Sequence, residues 1–466
     1  MKPPVNVVVT VVILAAGLGT RMRSKRAKVL HRAGGLSLIE HVVRAATSIT
    51  PAQHITVVVG HQAEQVQEQL SSTGVRFVVQ SEQKGTGHAV MACRETLESE
   101  GGLVAVLYGD CPLLAPATLR ELVDRQSSGE GAVTLITTHL EDPTGYGRIL
   151  LGKQGEVQAI VEQKAATPEQ LAIRLVNPGI YCFRADLLWK HIGELRPDNP
   201  AHEYYLTDMV EILNRAGHRA MPFDVPDAGE LLGINTRVEL AAVDKIFRDR
   251  KVRELMLDGV TIERPETVTI DGDVRVGMDS VIGPFTQILG SSSIGADCTI
   301  GAGSIIDNSE LGDAVRIAPL TSVSDSKIEG GAHIGPFARL RKGNRIGAGA
   351  HIGNFVELKN TQFGDQAKAS HLAYLGDSEI GEQANIGAGT ITCNYDGVKK
   401  HRTRVGKKAF VGSNSTLVAP MDIGDGSYIG AGSVITHPVP ADALAIGRAR
   451  QVVKEGWAAK RKKKST

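Results

Sequence analysis

Residues 14–22 read LAAGLGTRM, a glycine-rich turn after an apolar run, and the basic residues Arg21 and Lys28 follow its glycines. A glycine turn between a strand and a helix exposes backbone N–H groups that bind phosphate well. Met22 stands where the third glycine of G-x-G-x-x-G belongs, and no G-K-[ST] follows, so the dinucleotide and Walker A patterns are both absent. The turn alone leaves two interpretations open, a phosphate site or a tight strand–helix connection.

Two further segments carry residues suited to a nucleotide and a metal ion. QSEQKGTGHA at 80–89 places Gln80 and Gln83 before a second glycine-rich turn, where amide groups could bind the edge of a base. LYGD at 107–110 ends an apolar run in Asp110, and α/β sheets bind ligands at the carboxyl ends of their strands. A carboxylate there suits Mg²⁺, with Asn235 as a second oxygen ligand. Spacing alone fits equally well a capping Asp110 and a turn residue at 235.

His371, in SHLAYLGD, is a candidate general base. The intrinsic pKa of imidazole lies near neutrality, which suits deprotonation of an amine. A lone histidine in a polar segment is also typical of an ordinary surface residue, so the residue type alone does not decide.

The segments that position these residues follow two different patterns. Up to about residue 235, β-branched runs at 7–15, 55–60, 75–80, 103–110 and 132–138 alternate with helix-length segments. This alternation predicts a doubly wound α/β domain with a mainly parallel sheet. Residues 237–258 have helical periodicity and predict a connecting helix. We therefore expect domains at 1–236 and 259–466, joined by a linker helix.

Beyond residue 260, aliphatic residues recur at intervals of six, and the register resets by one residue at Leu311 and again at Ile328. This pattern predicts a parallel β-helix with these side chains on its axis. The set comprises Ile270, Val276, Ile282, Ile288, Ile294, Ile300, Ile306, Leu311, Ile328, Ile334, Leu340, Ile346, Ile352, Leu358, Val405, Val411, Leu417, Ile423, Ile429 and Ile435. Gaps at about 359–379 and 393–404 predict projecting loops, either functional or inert insertions.

Composition excludes several classes of protein. The 52 Lys+Arg and 51 Asp+Glu residues give a net charge of +1, which argues against a coat for nucleic acid or for anionic membranes. The five cysteines form no C-x-x-C pair, which argues against a zinc site or a disulfide framework and favours a reducing cytoplasm. No apolar run reaches the roughly 20 residues of a membrane helix. The tail KRKKKST is expected to be a solvated end.

The ordered segments LAAGLGTRM, AKVLH, QSEQKGTGHA, YGDCPLL, GYGRI, IVEQKAA, NPGIYCF, EYYLTD and GIN resemble the uridylyltransferase half of the bacterial GlmU family. That family joins N-acetylglucosamine-1-phosphate uridylyltransferase to glucosamine-1-phosphate acetyltransferase. The resemblance implies UTP as co-substrate, Arg21 and Lys28 as catalytic cations on its phosphates, and Mg²⁺ held by Asp110 and Asn235. The implied UTP and sugar-nucleotide contacts are Leu14, Ala15, Ala16, Gly17, Lys28, Gln80, Gly85, Thr86, Tyr108, Gly109, Gly147, Glu162, Asn177 and Asn235.

The segments 354–377 and 385–406 resemble the acetyltransferase half of the same family. The resemblance implies a left-handed β-helix, a homotrimer with active sites between subunits, and His371 as the general base. The implied acceptor contacts are Arg341, Lys359, Tyr374, Asn385, Asn394 and Tyr395, with Lys400 as a further candidate. The implied acetyl-CoA contacts are Ala388, Ser413, Ala431 and Arg448.

Two positions depart from the family pattern: Ala27 replaces a proline and Pro178 replaces a threonine. Neither change removes a charged side chain, so we expect altered affinity and retained chemistry. Two alternatives remain open, a single-activity sugar-1-phosphate nucleotidyltransferase with a non-catalytic β-helix and a non-catalytic nucleotide sensor. The segments around His371 and NYDG favour the bifunctional enzyme over both.

Overall fold

The structure, a computed structural model, describes residues 7–462. Residues 1–6, which precede the first predicted run, and the end of the basic tail, 463–466, lie outside the described residues. The chain forms two compact units, Met1–Ile246 and Phe247–Thr466. The division falls inside a helix, Arg237–Leu257, where the sequence predicts one.

The first unit is built on a mixed sheet. Val133–His139 and Ala220–Asp224 form a separate parallel pair. Four further strands form a continuous parallel part in the spatial order Arg76–Val79, Ile55–Val59, Val9–Leu14 and Leu103–Tyr108. These strands and Val133–His139 coincide with the five predicted runs to within two residues at each end. The remaining strands of the described sheet are Tyr181–Arg184, Leu175–Asn177, Gly147–Leu151 and Val157–Val161.

Alternate residues of the strand Val9–Leu14 face two different hydrophobic cores, as expected of a sheet that is covered on both sides. Val11 and Ile13 belong to one buried cluster, whereas Val12 and Leu14 belong to another. The α-helices of the first unit before its last helix are Leu38–Ala46, Ala63–Gln69, Thr86–Met91, Arg94–Leu97, Pro116–Ser128, Pro168–Leu171, Ala185–His191 and Met209–Arg215.

The helix expected directly after the first glycine turn is a single 3₁₀ turn, Thr20–Met22. A second 3₁₀ turn, Lys28–Leu30, follows, and the first α-helix begins only at Leu38. The prediction of a strand–turn–helix phosphate site is therefore wrong in its helix. Gly19 adopts φ +60°, so the turn still needs a residue that tolerates left-handed backbone.

The second unit is a parallel β-helix whose coils stack three sheets side by side. The first face contains Thr261–Ile262, Val281–Ile282, Thr299–Ile300, Arg316–Ile317, His333–Ile334, His351–Asn354, Lys368–His371, Asn385–Ile386, Phe410–Val411, Tyr428–Ile429 and Leu444–Ala445. The second face contains Thr269–Ile270, Gln287–Leu289, Ile305–Asp307, Ser322–Ser324, Arg339–Leu340, Glu357–Lys359, Tyr374–Gly376, Ile391–Cys393, Thr416–Val418 and Val434–Ile435. The third face contains Arg275–Val276, Ser293–Ile294, Glu310–Leu311, Lys327–Ile328, Arg345–Ile346, Gln362–Phe363, Ser378–Ile380, Thr403–Val405 and Met421–Ile423. A last helix spans Trp457–Lys462.

The predicted aliphatic residues line the axis of this β-helix. All of them are buried except Val276, which is half-buried and packs against the same core. The turn from the first face to the second is called the first corner below, and the turn from the second face to the third is called the second corner.

The first predicted loop, at 359–379, is wrong. Phe363, Ala369 and Leu375 continue the axial core through this segment, and strands run on without a break. A hexad search for aliphatic residues misses this coil because an aromatic residue and an alanine stand at two of its core positions. The second gap is a genuine insertion: residues 394–402 extend the second corner between Ile391–Cys393 and Thr403–Val405.

Among residues 7–462, no helix combines the length and the apolar composition that crossing a bilayer requires.

Two neighbouring isoleucines test the packing of the axis. Ile306 is fully buried, whereas Ile305, the preceding residue on the same strand, is 38% exposed. We expect Ile306→Ala to destabilise the β-helix by about 2–5 kcal/mol, because it leaves a cavity in a close-packed core. Calorimetry of the full chain should show a clearly lower unfolding midpoint for Ile306→Ala than for the control Ile305→Ala. Equal losses would contradict the inward orientation of residue 306.

Candidate active sites

The first site lies at the carboxyl ends of the parallel strands. Leu14 is in register with Val58 on one side and Tyr108 on the other, so three strand ends meet at one edge. A cavity of about 520 Å³ opens there. Its lining includes twelve of the predicted residues: Leu14, Ala15, Ala16, Gly17, Arg21, Lys28, Gln80, Gly85, Thr86, Tyr108, Asp110 and Asn235.

Three polar side chains converge at one wall of this cavity. The Lys28 ammonium forms an ion pair with Asp110 and donates a hydrogen bond to Asn235 Oδ1 at 3.1 Å. Asp110 and Asn235, which lie 82 and 207 residues after Lys28 in the sequence, thus hold the same ammonium group. Within the described residues, no cluster of three or more His, Cys, Asp or Glu side chains could hold a metal ion. The carboxylate and the amide oxygen nevertheless match the donor set of Mg²⁺, which takes its remaining ligands from water and substrate phosphates.

Tyr108 connects this cavity to a second group of predicted residues. Its ring packs on Gly179, where a Cβ would lie 2.0 Å from Cε2 of the tyrosine. Burial, followed by the charges of Glu162 and Asp110, raises the pKa of Tyr108. Only a glycine at 179, with φ +87°, permits this contact.

The other predicted sugar contacts lie beside the cavity lining and not in it. Glu162 accepts a hydrogen bond from Thr207 at 3.4 Å, and burial raises the pKa of Glu162. Asn177 stands opposite Gly147 in register, and its amide donates to the Tyr181 hydroxyl at 2.7 Å. Gly109 donates its backbone N–H to Leu14 O at 2.9 Å. These groups form a buried polar layer around Tyr108.

Both departures from the family pattern keep the local backbone. Ala27 has φ −53°, close to the value that a proline would impose, so the turn before Lys28 is formed without it. After Pro178, the Gly179 N–H donates to Asn177 Oδ1 at 3.0 Å and closes an Asx turn.

The sequence analysis did not single out two acidic residues of EYYLTD near this site. Glu203 lines the cavity, and the next residue, Tyr204, accepts a hydrogen bond from Gly87 N at 2.8 Å. Burial, reinforced by Glu211, raises the pKa of Asp208 to about 6. The sequence does carry a signal for both residues, because EYYLTD is one of the segments that resemble the uridylyltransferase half of the family.

The second site begins at the first corner of the β-helix, where residues from successive coils stack in one column. Leu372 N donates to Asn354 O at 3.0 Å, and Gly389 N donates to Leu372 O at 2.9 Å. The column continues through Asn414 N to Ala388 O and Gly432 N to Ser413 O, at 2.7 and 2.8 Å. The predicted residues at this corner are His371, Ala388, Ser413 and Ala431. Residues 17–25 apart in sequence therefore form one continuous edge.

Asp377 organises a polar cluster at the second corner of the same coils. Its carboxylate lies 3.2–3.3 Å from Lys359 Nζ and accepts hydrogen bonds from Asn360 at 2.9 Å and Asn394 at 2.5 Å. Burial acts to raise the pKa of Asp377, but these three donors outweigh it, so the pKa lies below its usual value. Sequence reasoning missed Asp377, which brings Lys359 and Asn394 together.

Further cations surround this cluster. Lys400, on the insertion at 394–402, is close enough to Lys359 that the neighbouring ammonium lowers the pKa of Lys400. Arg341 also acts on Lys400 and pairs with Glu357 at 3.1 Å. This cluster contains three cationic side chains and only the two carboxylates of Asp377 and Glu357. The resulting excess of positive charge suits the binding of a phosphate group.

The other predicted residues of this unit are more widely spread. Tyr374 is in register with Glu357 on the second face. Asn385 lies on the first face, between Lys368 and Phe410 in register, and not at the Asp377 cluster. Tyr395 is exposed on the insertion, and its hydroxyl donates to Gly397 O at 2.5 Å. Arg448 lies beside Gly432, with its Cδ 3.9 Å from where a Cβ would stand.

Family models match both units. A model described as MobA-like NTP transferase domain matches residues 11–195. Models described as bacterial transferase hexapeptide (six repeats) and hexapeptide repeat of succinyl-transferase match 273–308 and 402–437. Together with the parallel sheets, these matches confirm the predicted fold class, a Rossmann-like nucleotidyltransferase domain followed by a left-handed parallel β-helix.

Several relatives match nearly the whole chain. A bifunctional protein GlmU from Solibacter usitatus (strain Ellin6076) is 59% identical over 454 residues, 97% of each chain. Those from Koribacter versatilis (strain Ellin345) and Trichormus variabilis are 50% and 47% identical, over 97% and 96% of this chain and 97% and 98% of theirs. Among solved structures, a putative glucose-1-phosphate thymidylyltransferase from Bacillus anthracis is 20% identical, covers 51% of this chain and 95% of its own, and has a TM-score of 0.41. The identity to full-length relatives shows that the chain belongs to the bifunctional GlmU family.

Proposed function

We propose that the chain catalyses two successive transfers in the synthesis of UDP-N-acetylglucosamine. The second unit transfers an acetyl group from acetyl-CoA to glucosamine 1-phosphate. The first unit then transfers a uridylyl group from UTP to the resulting N-acetylglucosamine 1-phosphate and releases pyrophosphate. The observation that carries this proposal is that each unit has its own polar site, and each site has groups suited to one step.

In the acetyl transfer, the amine nitrogen attacks the thioester carbon, so a C–N bond forms and the C–S bond breaks. His371 takes the proton that the amine loses, and the coenzyme A thiolate leaves. The excess positive charge of Arg341, Lys359 and Lys400 holds the sugar phosphate. A strand of three residues on the second face, about 10 Å long, separates the first corner from the second corner. His371 at the first corner and the cations around the second corner therefore act on one side of the β-helix. Acetyl-CoA lies along the first-corner column of Ala388, Ser413 and Ala431, near Arg448.

In the uridylyl transfer, the sugar phosphate attacks the α-phosphorus of UTP and expels pyrophosphate. The nucleophile is already ionised, so no general base is needed, and the protein positions two anions and neutralises their charge. Arg21 and Lys28 supply positive charge to the triphosphate, while Gln80, Gly85 and Thr86 bind the uracil and ribose. Asp110 and Asn235 would hold Mg²⁺, which would stabilise the negative charge that develops on the transferred group. Lys28, which contacts both of these residues, would supply positive charge to the phosphates.

The proposal includes a cytoplasmic homotrimer with acetyl-transfer sites between subunits. Its support is an apolar ridge along the first corner, composed of Phe285, Leu320, Phe337, Phe355 and Leu372, each 47–59% exposed. Two of these rings, Phe337 and Phe355, stack 5.3 Å apart. An aligned set of exposed apolar side chains is typical of a protein interface. The five cysteines are free, which fits a reducing compartment.

Asp110→Asn tests the metal assignment. We expect uridylyl transfer to fall by about 100-fold or more, because the metal stabilises several kcal/mol of transition-state charge. Acetyl transfer should be unchanged, and Mg²⁺ should no longer raise the melting temperature in the presence of UTP. Pyrophosphate release, thiol release and thermal shift measure the three quantities. Near-normal uridylyl turnover in saturating Mg²⁺ would overturn the assignment.

His371→Ala tests the base. Loss of a general base costs about 10²–10⁴-fold, so acetyl transfer should fall by that factor while uridylyl transfer stays normal. The assay follows free thiol from acetyl-CoA with glucosamine 1-phosphate as acceptor. Retained thiol release in the variant would overturn the base assignment, whereas no thiol release from the unmodified protein would favour a single-activity nucleotidyltransferase. A joint loss of both activities would indicate misfolding.

The double substitution Phe337→Ser and Phe355→Ser tests the ridge. Analytical ultracentrifugation should give three times the chain mass of 49.6 kDa for the unmodified protein and a smaller species for the variant. The control Leu444→Ser removes a side chain that is 67% exposed on the first face, outside the ridge, and should keep the mass. A trimeric double variant would place the interface elsewhere.

A further inference from the structure

One contact of His371 is not explained by the roles proposed above. Its Nδ1 lies 2.5 Å from Oδ1 of Asn354, which stands opposite it in register on the preceding coil. Both residues end their strands, His351–Asn354 and Lys368–His371, at the first corner. The asparagine is half-buried and the histidine exposed, so the contact fixes a ring that would otherwise rotate in solvent.

The chemistry of the two atoms sets the direction of this hydrogen bond. An amide oxygen only accepts, so the imidazole Nδ1 must carry the proton and donate it. In the neutral ring, the other nitrogen, Nε2, is then unprotonated. This is the form that a general base needs, because Nε2 has a free lone pair for the proton of the substrate amine.

We propose that Asn354 is a positioning residue for acetyl transfer: it holds His371 in the Nδ1–H tautomer and orients Nε2 as the base. This inference rests on the proposed role of His371. Asn354 does not touch the reacting atoms, and its effect is transmitted entirely through the imidazole.

The backbone of Asn354 is engaged separately from its side chain. Its carbonyl accepts the Leu372 N–H at 3.0 Å, a contact that any residue at 354 would preserve. A substitution of the side chain therefore tests the imidazole contact with little effect on coil stacking.

The charged groups near His371 include His351 and Lys368 on the same two strands and His333 on the coil before them. His351 precedes Asn354 on one strand, and burial, then His333, Lys368 and His371, lowers its pKa. Lys368 begins the strand that ends at His371 and is in register with His351 and Asn385. Neither His351 nor Lys368 accepts a hydrogen bond from Nδ1 of His371, whereas Oδ1 of Asn354 lies within hydrogen-bond distance of it.

The first variant is Asn354→Ala. Because loss of an outer hydrogen-bond partner of a functional histidine typically costs 10–100-fold, we expect kcat of acetyl transfer to fall by about that factor. The KM values for glucosamine 1-phosphate and acetyl-CoA should stay within about twofold, and uridylyl transfer should be normal. The control Asn308→Ala removes another asparagine of the β-helix, one whose amide oxygen accepts the Ser291 N–H, and should leave kcat unchanged.

The second variant, Asn354→Asp, keeps the acceptor and adds a negative charge. It should restore most of kcat at high pH and move the acid limb of the pH–kcat profile to higher pH, since a carboxylate stabilises the imidazolium. A purely structural asparagine would give two variants with lower melting temperatures and an unmoved acid limb, which would overturn the proposal.

A double variant separates this inference from the proposed function. In the His371→Ala background, Asn354→Ala should cause no further loss, because the residue acts only through the imidazole. Additive losses would overturn the positioning role and leave His371 as the base. Full activity of His371→Ala alone would instead overturn the base assignment on which this inference rests.

Discussion

The close stacking of successive coils is the constraint on which the acetyl-transfer site depends. At Gly353 the coils approach so closely that a Cβ would lie 1.9 Å from Ser370 O on the next coil. This spacing holds Asn354 beside His371, and Leu358 beside Leu375 on the axis. Because each coil repeats the same three faces, one residue per coil reaches the same corner. Side chains remote in sequence thereby form a column without any loop to carry them.

The same stacking explains why left-handed backbone occurs at residues other than glycine. The φ angles of Phe337, Phe355 and Leu372 lie between +48° and +57°. This left-handed backbone conformation costs energy for residues with large side chains. Phe355 and Leu372 directly follow the residues that end their first-face strands, and Phe337 lies three residues after the end of its strand at Ile334. Corner geometry requires this backbone whatever residue stands there, so the free energy of packing along the axis offsets the local strain. Large apolar side chains then point outward, where they gain stability only if something covers them.

Much of both units was predictable from the sequence, since it follows from periodicity. The five strand runs and the axial aliphatic residues were located correctly because burial requires one residue type at fixed spacing. The coil at 359–379 was missed because Phe363 and Ala369 fill the axis with volumes that a search for aliphatics ignores. The antiparallel strands from 147 to 184 were missed as well, since strands of only three to five residues carry little periodic signal.

Some residues of the candidate sites could be predicted from the sequence, whereas others could not. Lys28 and Asp110, which lie within recognised segments, line one cavity as the prediction of a shared site requires. Their mutual ion pair was not predicted, because it joins segments 82 residues apart. Asp377 was missed because an aspartate in a corner turn is typical of backbone capping. Its importance is visible only when Lys359 and Asn394 are seen on its carboxylate.

The two sites share one electrostatic arrangement, in which a carboxylate holds a lysine. Lys28 is held by Asp110 and Lys359 by Asp377, and all four side chains are at most 16% exposed. A partly buried ammonium without a partner would be costly, so each aspartate stabilises its lysine in the absence of a ligand. Under the proposed function, a substrate phosphate would compete with that carboxylate for the ammonium. In the second unit, Lys400 and Arg341 add positive charge near Lys359, so a phosphate there could be bound without removing Lys359 from Asp377.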